Sequence, residues 1–251
     1  MKYAIIISKK DTASLNIYEA LNKLNFKENI VKELKNIENI NITILLQSHW
    51  DLEIDIWAKK TSNFHDFYNN IIEKYSDFIQ NKEFSLITKI HHLKHPYLYK
   101  KQEEIILGES KKEKIDETDY KILKLLEEDG RQNIIELSKT LSLPPTTLNY
   151  RLKNLKSKVV KTTVPILNID LIGYDRFKVQ ITLNNTSRKN ILIRYLSTNN
   201  NVVKIFELIG KVDLEFEVDF KTSNELDDFL TELRIKIPYI KYFEVVTVAN
   251  N

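Results

Sequence analysis

The sequence predicts an α+β chain in which two copies of a βαββαβ unit flank a compact three-helix segment. Three observations predict it. Two distant stretches match each other without gaps. In both, runs alternating with period two bracket stretches with helical period. Between them, apolar residues recur at helical spacing around a glycine stop and a Pro–Pro turn.

The internal match sets the frame. Asp51-Leu52-Glu53-Ile54-Asp55-Ile56 corresponds to Asp213-Leu214-Glu215-Phe216-Glu217-Val218, an offset of 162. The same offset pairs Phe64 with Leu226, Phe67 with Phe229 and Ile71 with Leu233. A shift of three then aligns Phe84, Leu86 and Ile87 with Phe243, Val245 and Val246. Each copy opens on an alternating run, Tyr3, Ile5, Ile7 in one and Phe177, Val179, Ile181 in the other. Such alternation marks a half-buried strand. Helices are expected over 14–37 and 188–198, and strand pairs over 40–47 with 51–59 and 202–209 with 212–220. Second helices follow over 63–79 and 223–236, and last strands over 83–91 and 240–248. This is the ferredoxin-like order. Helices cover one face of such a sheet, and the bare face needs a partner sheet, from the other copy or from a second chain. The copies have diverged: the first helix of copy one is longer, Ser48 stands opposite Gly210, and Trp50 replaces Val212.

Four parts follow: a first βαββαβ domain at 1–98, a charged, solvated linker at 99–114, a helical domain at 115–170 and a second βαββαβ domain at 171–251. In the helical domain, Asp116 is the expected N-cap of a helix with Tyr120, Ile122, Leu123 and Leu126 as its apolar stripe. Gly130 stands just past its end. A second helix spans 133–141, Ser142-Leu143-Pro144-Pro145 makes a tight turn, and a third helix runs 145–157 with Pro145 at its first position. Leu148, Leu152 and Leu155 share the third helix's inner face, and Thr146, Asn149, Tyr150 and Lys153 lie opposite. An amide, a hydroxyl, a cation and an aromatic tip suit base edges and phosphates. Arg131, Lys139, Lys156, Lys158 and Lys161 flank them as candidate phosphate contacts, and 159–164 reads as the strands of a wing.

This segment resembles the winged helix-turn-helix of the Lrp/AsnC family of regulators. The resemblance rests on Ile115, Asp116, Asp119, Ile122 and Leu123, on Asp129-Gly130-Arg131, on Glu136-Leu137-Ser138, and on Pro145, Thr147 and Arg151. The βαββαβ unit is similar to the same family's RAM domain. The match looks closest to archaeal members with duplicated halves, here without a first helix-turn-helix. The family usually has Ser where Pro144 stands, its two wing glycines are absent here, and the stretch after Leu155 is one residue shorter. The resemblance implies sequence-specific binding of double-stranded DNA, with Thr147 added to the reading face. It implies a homodimer or higher oligomer through the RAM sheets and a small amino-acid effector. The family's effector pocket lies beside the turn after the second strand, so Gly210, Asp213, Ser48 and Asp51 are the candidate contacts. Asp51 and Asp213 read equally well as turn residues that satisfy backbone N–H groups. Arg151, at the edge of the buried stripe, reads as an ion-pair partner.

Composition excludes several other classes. The chain has 251 residues, 29% of them charged, and a net charge of +3, which leaves DNA binding to a local basic face. It has no cysteine, and its four glycines are isolated, so thiolate metal sites and phosphate-cradling loops are not expected. No apolar run approaches a membrane span and no signal peptide is read, so a cytoplasmic protein without membrane contact is expected. His91, His92 and His95 make a poor metal set, because strand neighbours point to opposite faces, and read as a surface strand end. Glu53 with Asp55, and Asp227 with Asp228, read as solvated carboxylates. No cofactor and no nucleophile–base pair is expected, so the chain is read as a non-enzyme. The rival readings are a metabolite-sensing or assembly protein that has lost DNA, and a haem-pathway enzyme built from the same modules.

Overall fold

The computed structural model describes residues 2–9, 40–47, 50, 52–58, 60–76, 79–93, 95, 104–108, 113–160 and 167–248. The strands are β1 (Lys2–Lys9), β2 (Ile40–Gln47), β3 (Leu52–Trp57), β4 (Ile79–Leu93), β5 (Glu104–Leu107), β6 (Asp175–Leu183), β7 (Val202–Gly210), β8 (Leu214–Phe220) and β9 (Ile240–Val248). The helices are α1 (Thr61–Lys74), α2 (Glu117–Glu128), α3 (Ile134–Leu141), α4 (Pro145–Lys158), α5 (Lys189–Ser197) and α6 (Ser223–Lys236). The chain divides into two compact units, 1–108 with 168–251, and 109–167. The result is a mixed α+β chain with an antiparallel sheet and a helix-turn-helix.

In the larger unit, residues 168–251 show the complete order β6-α5-β7-β8-α6-β9. Residues 1–108 show the corresponding four strands and α1; the helix expected over 14–37 lies outside the described residues. The second half pairs its strands in the order β7-β8-β6-β9, and the first half in the matching order β2-β3-β1-β4, all antiparallel. Period-two patterning gives each sheet an inner and an outer row. On β8, Leu214, Phe216, Val218 and Phe220 join one core with Leu192 and Leu196 of α5 and Leu226, Phe229 and Leu233 of α6. In the first half, Leu52, Ile54 and Ile56 meet Phe64 and Ile71 of α1 in the same way.

The opposite rows meet each other. The edge of β2 pairs with β9 at Leu46–Val248 and Gln47–Thr247, and β4 pairs with β7 from Ser85–Gly210 to His92–Lys204. Together with β1–β4, these contacts close every strand except β5 into a ring. The partner sheet that the bare face needs is thus supplied within the chain, where the sequence left pairing within or between chains open.

Two expectations are overturned. Glu53 and Asp55 were expected to be solvated; they are 2% and 5% exposed, because the second half's sheet lies over them. Residues 99–114 were expected to be linker throughout. Instead β5 pairs with β4 over Ile90–Leu107 to Leu93–Glu104.

Inside the ring, carboxylates outnumber cations among the described residues: Glu53, Asp55, Glu215, Glu217 and Asp219 against Lys178, Arg176 and Lys204. Lys178 Nζ donates to both oxygens of Glu53 at 2.7 Å and lies 3.1 Å from Glu215, whose other oxygen accepts from Gln180 at 2.9 Å. Burial pushes the Glu53 carboxyl up to about 8; Lys178 opposes this, and Glu215 and Asp55 add to it. Burial would raise Glu217 as well, but Lys204, Lys178 and Arg176 together hold it down at about 2.

Gly210 closes the β4–β7 seam. Its φ is +155°, and a Cβ there would sit 2.8 Å from Ser85 Oγ and 2.9 Å from the Phe84 carbonyl oxygen. Gly210→Ala is therefore expected to cost about 1–3 kcal/mol, the usual range for forced overpacking. Thermal unfolding checks this, and an unchanged midpoint would remove the steric role assigned to Gly210.

Candidate nucleic-acid interface

The smaller unit is built on Ile122, Leu137, Leu148 and Leu155, with Leu123, Leu126, Ile134, Leu141 and Leu152 packed around them. Asp116 caps α2 as expected: its Oδ1 accepts from the Asp119 N–H at 2.8 Å, and the Asp119 carboxylate reaches back to the Asp116 N–H. Tyr120 departs from the expected stripe and is 62% exposed. Two residues are 200° on a helix, so Tyr120 and the buried Ile122 cannot share a face. Gly130 stands just past the Asp129 C-cap, and Asp129 Oδ1 accepts from the Arg131 N–H at 2.9 Å.

The turn into α4 is tightly specified. Ser142 takes the left-handed conformation at φ +52°. The Leu143 N–H bonds the Ser138 carbonyl at 3.0 Å, and the Ser138 hydroxyl donates to the Leu143 carbonyl. Pro145 then occupies the first turn of α4, where a missing N–H costs nothing. Pro144 stands at the N-cap and supplies no side-chain bond there.

This turn sets how α4 presents its faces. Leu148 and Leu155 are buried, and Thr146, Thr147, Asn149, Tyr150, Lys153, Lys156 and Lys158 are exposed. Thr146, Tyr150 and Lys153 lie within about 40° of the direction opposite Leu148, with Asn149 beside them. Ser157, also exposed, falls on that face and was missed from the sequence; its spacing of four from Lys153 is the signal. Thr147 lies on the flank. Asn149, Lys153 and Lys156 line a shallow groove with Gly130 and Gln132 from the turn before α3. Arg131, in the same turn, is exposed, as is Lys139. Lys161 and most of the expected wing lie outside the described residues; Val159 and Val160 pack against the helical core.

Arg151 belongs to the scaffold, as its position suggested. Its Nη1 donates to Asp116 Oδ2 at 2.7 Å and to Asp119 Oδ1 at 2.8 Å, tying α4 to the cap of α2. Hydrogen bonds from the Asp119 backbone and from Arg151 hold Asp116 below the usual carboxylate range.

Residues 115–158 match the family model described as winged helix-turn-helix DNA-binding. The chain is 28% identical over 117 residues to the HTH-type transcriptional regulator FL11 of Pyrococcus horikoshii, spanning 46% of this chain and 78% of that protein. The FL11 regulator of Pyrococcus abyssi is 27% identical over the same shares. Among solved structures, Escherichia coli AsnC superposes with a TM-score of 0.50 at 20% identity, covering 55% of this chain and 95% of AsnC. Residues 115–158 thus carry a winged helix-turn-helix of the DNA-binding kind, and the chain is similar to transcription regulators of the Lrp/AsnC type. A second solved relative, a transcriptional regulator of Neisseria meningitidis in complex with L-Met, gives a TM-score of 0.50 at 20% identity over 55% of this regulator and 91% of its own chain.

The candidate effector residues are placed mainly by backbone needs. Asp213 Oδ2 accepts from the Leu183 N–H at 2.8 Å, its N–H bonds the Ile181 carbonyl, and its carbonyl accepts from Leu208. Gly210 lies in the β4–β7 seam. Ser48 and Asp51 lie outside the described residues. The histidines divide as strand geometry requires, but His91 is 6% exposed rather than on the surface. Its Nδ1 lies 2.7 Å from Glu104 and its Nε2 3.0 Å from Glu207, which joins β5 to β4 and β7.

Proposed function

We propose that this Lrp/AsnC-type regulator reads duplex DNA with α4 in the major groove. The observation that carries the reading is the exposed row of Thr146, Asn149, Tyr150 and Lys153, opposite buried Leu148 and Leu155, on a helix entered through a rigid turn. Asn149 and Thr146 offer hydrogen bonds to base edges, Asn most naturally to adenine. Lys153, Lys156, Lys158, Arg131 and Lys161 neutralise phosphates and fix register, and Thr147 adds a backbone contact from the flank. Residues 115–170 form the DNA-binding domain. The halves at 1–98 and 171–251 are two RAM domains, and the matching strand order of the two halves supports this. The chain acts by binding and not by catalysis, in the cytoplasm; among the described residues no helix is long and apolar enough to cross a membrane.

An amino-acid-class effector at the Gly210–Asp213 turn is the regulatory part of the proposal. Such a ligand would compete with the Leu183 N–H for Asp213, and a thermal shift across the amino acids would detect it.

Selection from random duplex DNA, followed across a salt series, tests the reading. Asn149→Ala is expected to cost about 1–3 kcal/mol and relax preference at one base pair. Lys153→Ala should weaken all sequences alike and flatten the salt slope by about one. Unchanged affinity in both variants would remove the role assigned to α4.

A further inference from the structure

We infer that α4 is flanked by two separate phosphate-binding rows, and that Lys114, with Asn154 and Lys158, holds the DNA strand opposite the one held by Lys156 with Gln132. This rests on the DNA reading assigned to α4 and adds which side chains meet which backbone. A helix about 10–12 Å across fills a major groove about 12 Å wide, so its two flanks face the phosphates of different strands. At about 100° per residue from the inward Leu148, Asn149 and Lys156 lie about 80–100° to one side, and Thr147, Asn154 and Lys158 about 80–120° to the other. The exposed crest of Thr146, Tyr150, Lys153 and Ser157 runs between them.

Each flank is completed from another element. On the first, Gln132 from the turn before α3 joins Asn149 and Lys156 in one groove. On the second, Lys114, just before α2, joins Thr147, Tyr150, Asn154 and Lys158 in another. An ion pair delivers Lys114 to this place. Arg151 on α4 grips Asp116 and Asp119 at 2.7 and 2.8 Å, which fixes the start of α2 against α4 two residues beyond Lys114. The guanidinium is thereby engaged, and Lys114 and Lys158, both exposed and without an ion pair among the described residues, are the cations left to face a phosphate wall here. Glu113 lines the same groove, and its carboxylate repels the strand that Lys114 attracts.

Duplexes carrying the motif enriched from a random pool, with neutral methylphosphonates placed along one strand at a time, test the inference on the full chain. Lys114→Ala and Lys158→Ala are each expected to flatten the salt slope by about one and to leave the enriched motif unchanged. Both variants should lose sensitivity to methylphosphonates on the same strand and keep it on the other. Lys156→Ala should show the reverse, and Glu113→Gln should tighten binding at low salt. An unchanged salt slope in Lys114→Ala, one strand shared by Lys114 and Lys156, or no tightening in Glu113→Gln would overturn the second row while leaving α4 as the reader. A chain that enriches no motif would overturn the DNA reading, and the inference with it.

Discussion

Replacing Lys178 by Met is expected to cost about 3–5 kcal/mol of folding stability at neutral pH, the range for removing one partner of a buried ion pair. The lysine is 3% exposed and is shared by Glu53 and Glu215. Met conserves the packing of the aliphatic stem, which also runs near the Phe206 ring, with the amine 5.7 Å from its centroid. The loss therefore reports the stranded carboxylates rather than a cavity. A second substitution, Glu215→Gln, should return part of it, because the amine's other carboxyl partner is then neutral. Denaturant unfolding of both variants measures the effect. A loss below about 1 kcal/mol, typical of exposed pairs, would mean that water reaches the ring interior.

The second large effect is a pH dependence centred on Glu53. Its carboxyl is raised to about 8 in the fold, against 4.5 ordinarily. Between these values the native state holds a proton that the unfolded chain has released. Raising pH through this window therefore favours unfolding: the contribution is fully present below 4.5 and is lost as pH climbs through 8. The slope can reach about 1.4 kcal/mol per pH unit. Glu217 works in the opposite direction. Held at about 2 by its cations, it adds stability above 4.5 that disappears as pH falls toward 2. Stability should thus peak in the mildly acidic range. Glu53→Gln should flatten the alkaline limb and leave the acidic limb in place. A wild-type profile that is level between pH 5 and 8 would contradict the raised Glu53 carboxyl.

Much of the architecture was legible because local signals agreed with tertiary needs. The strands at 40–47 and 240–248 and the helix at 223–236 fall where the patterning placed them, and Asp116, Pro145 and Arg151 occupy their expected positions. The third helix's exposed face followed from the 100° step alone. What could not be read was the environment of the polar rows. Glu53 and Glu215 alternate with apolar neighbours just as solvated residues do, and only closure of the ring buries them. The same blindness applies to β5, whose charged flanks signal a linker while Ile105, Ile106 and the contacts of His91 make it a strand. Tyr120 was misplaced for a simpler reason: it was grouped with Ile122 despite a spacing that puts them on opposite sides.

The closed ring has a consequence for abundance. A barrel assembled from two separate subunits loosens on dilution, because its stability depends on protomer concentration. Here the two halves are tethered, and the tether keeps each at an effective concentration on the order of millimolar with respect to the other. Folding of the larger unit is then indifferent to how many copies of the protein are present. A chain kept at a handful of copies would keep its fold intact.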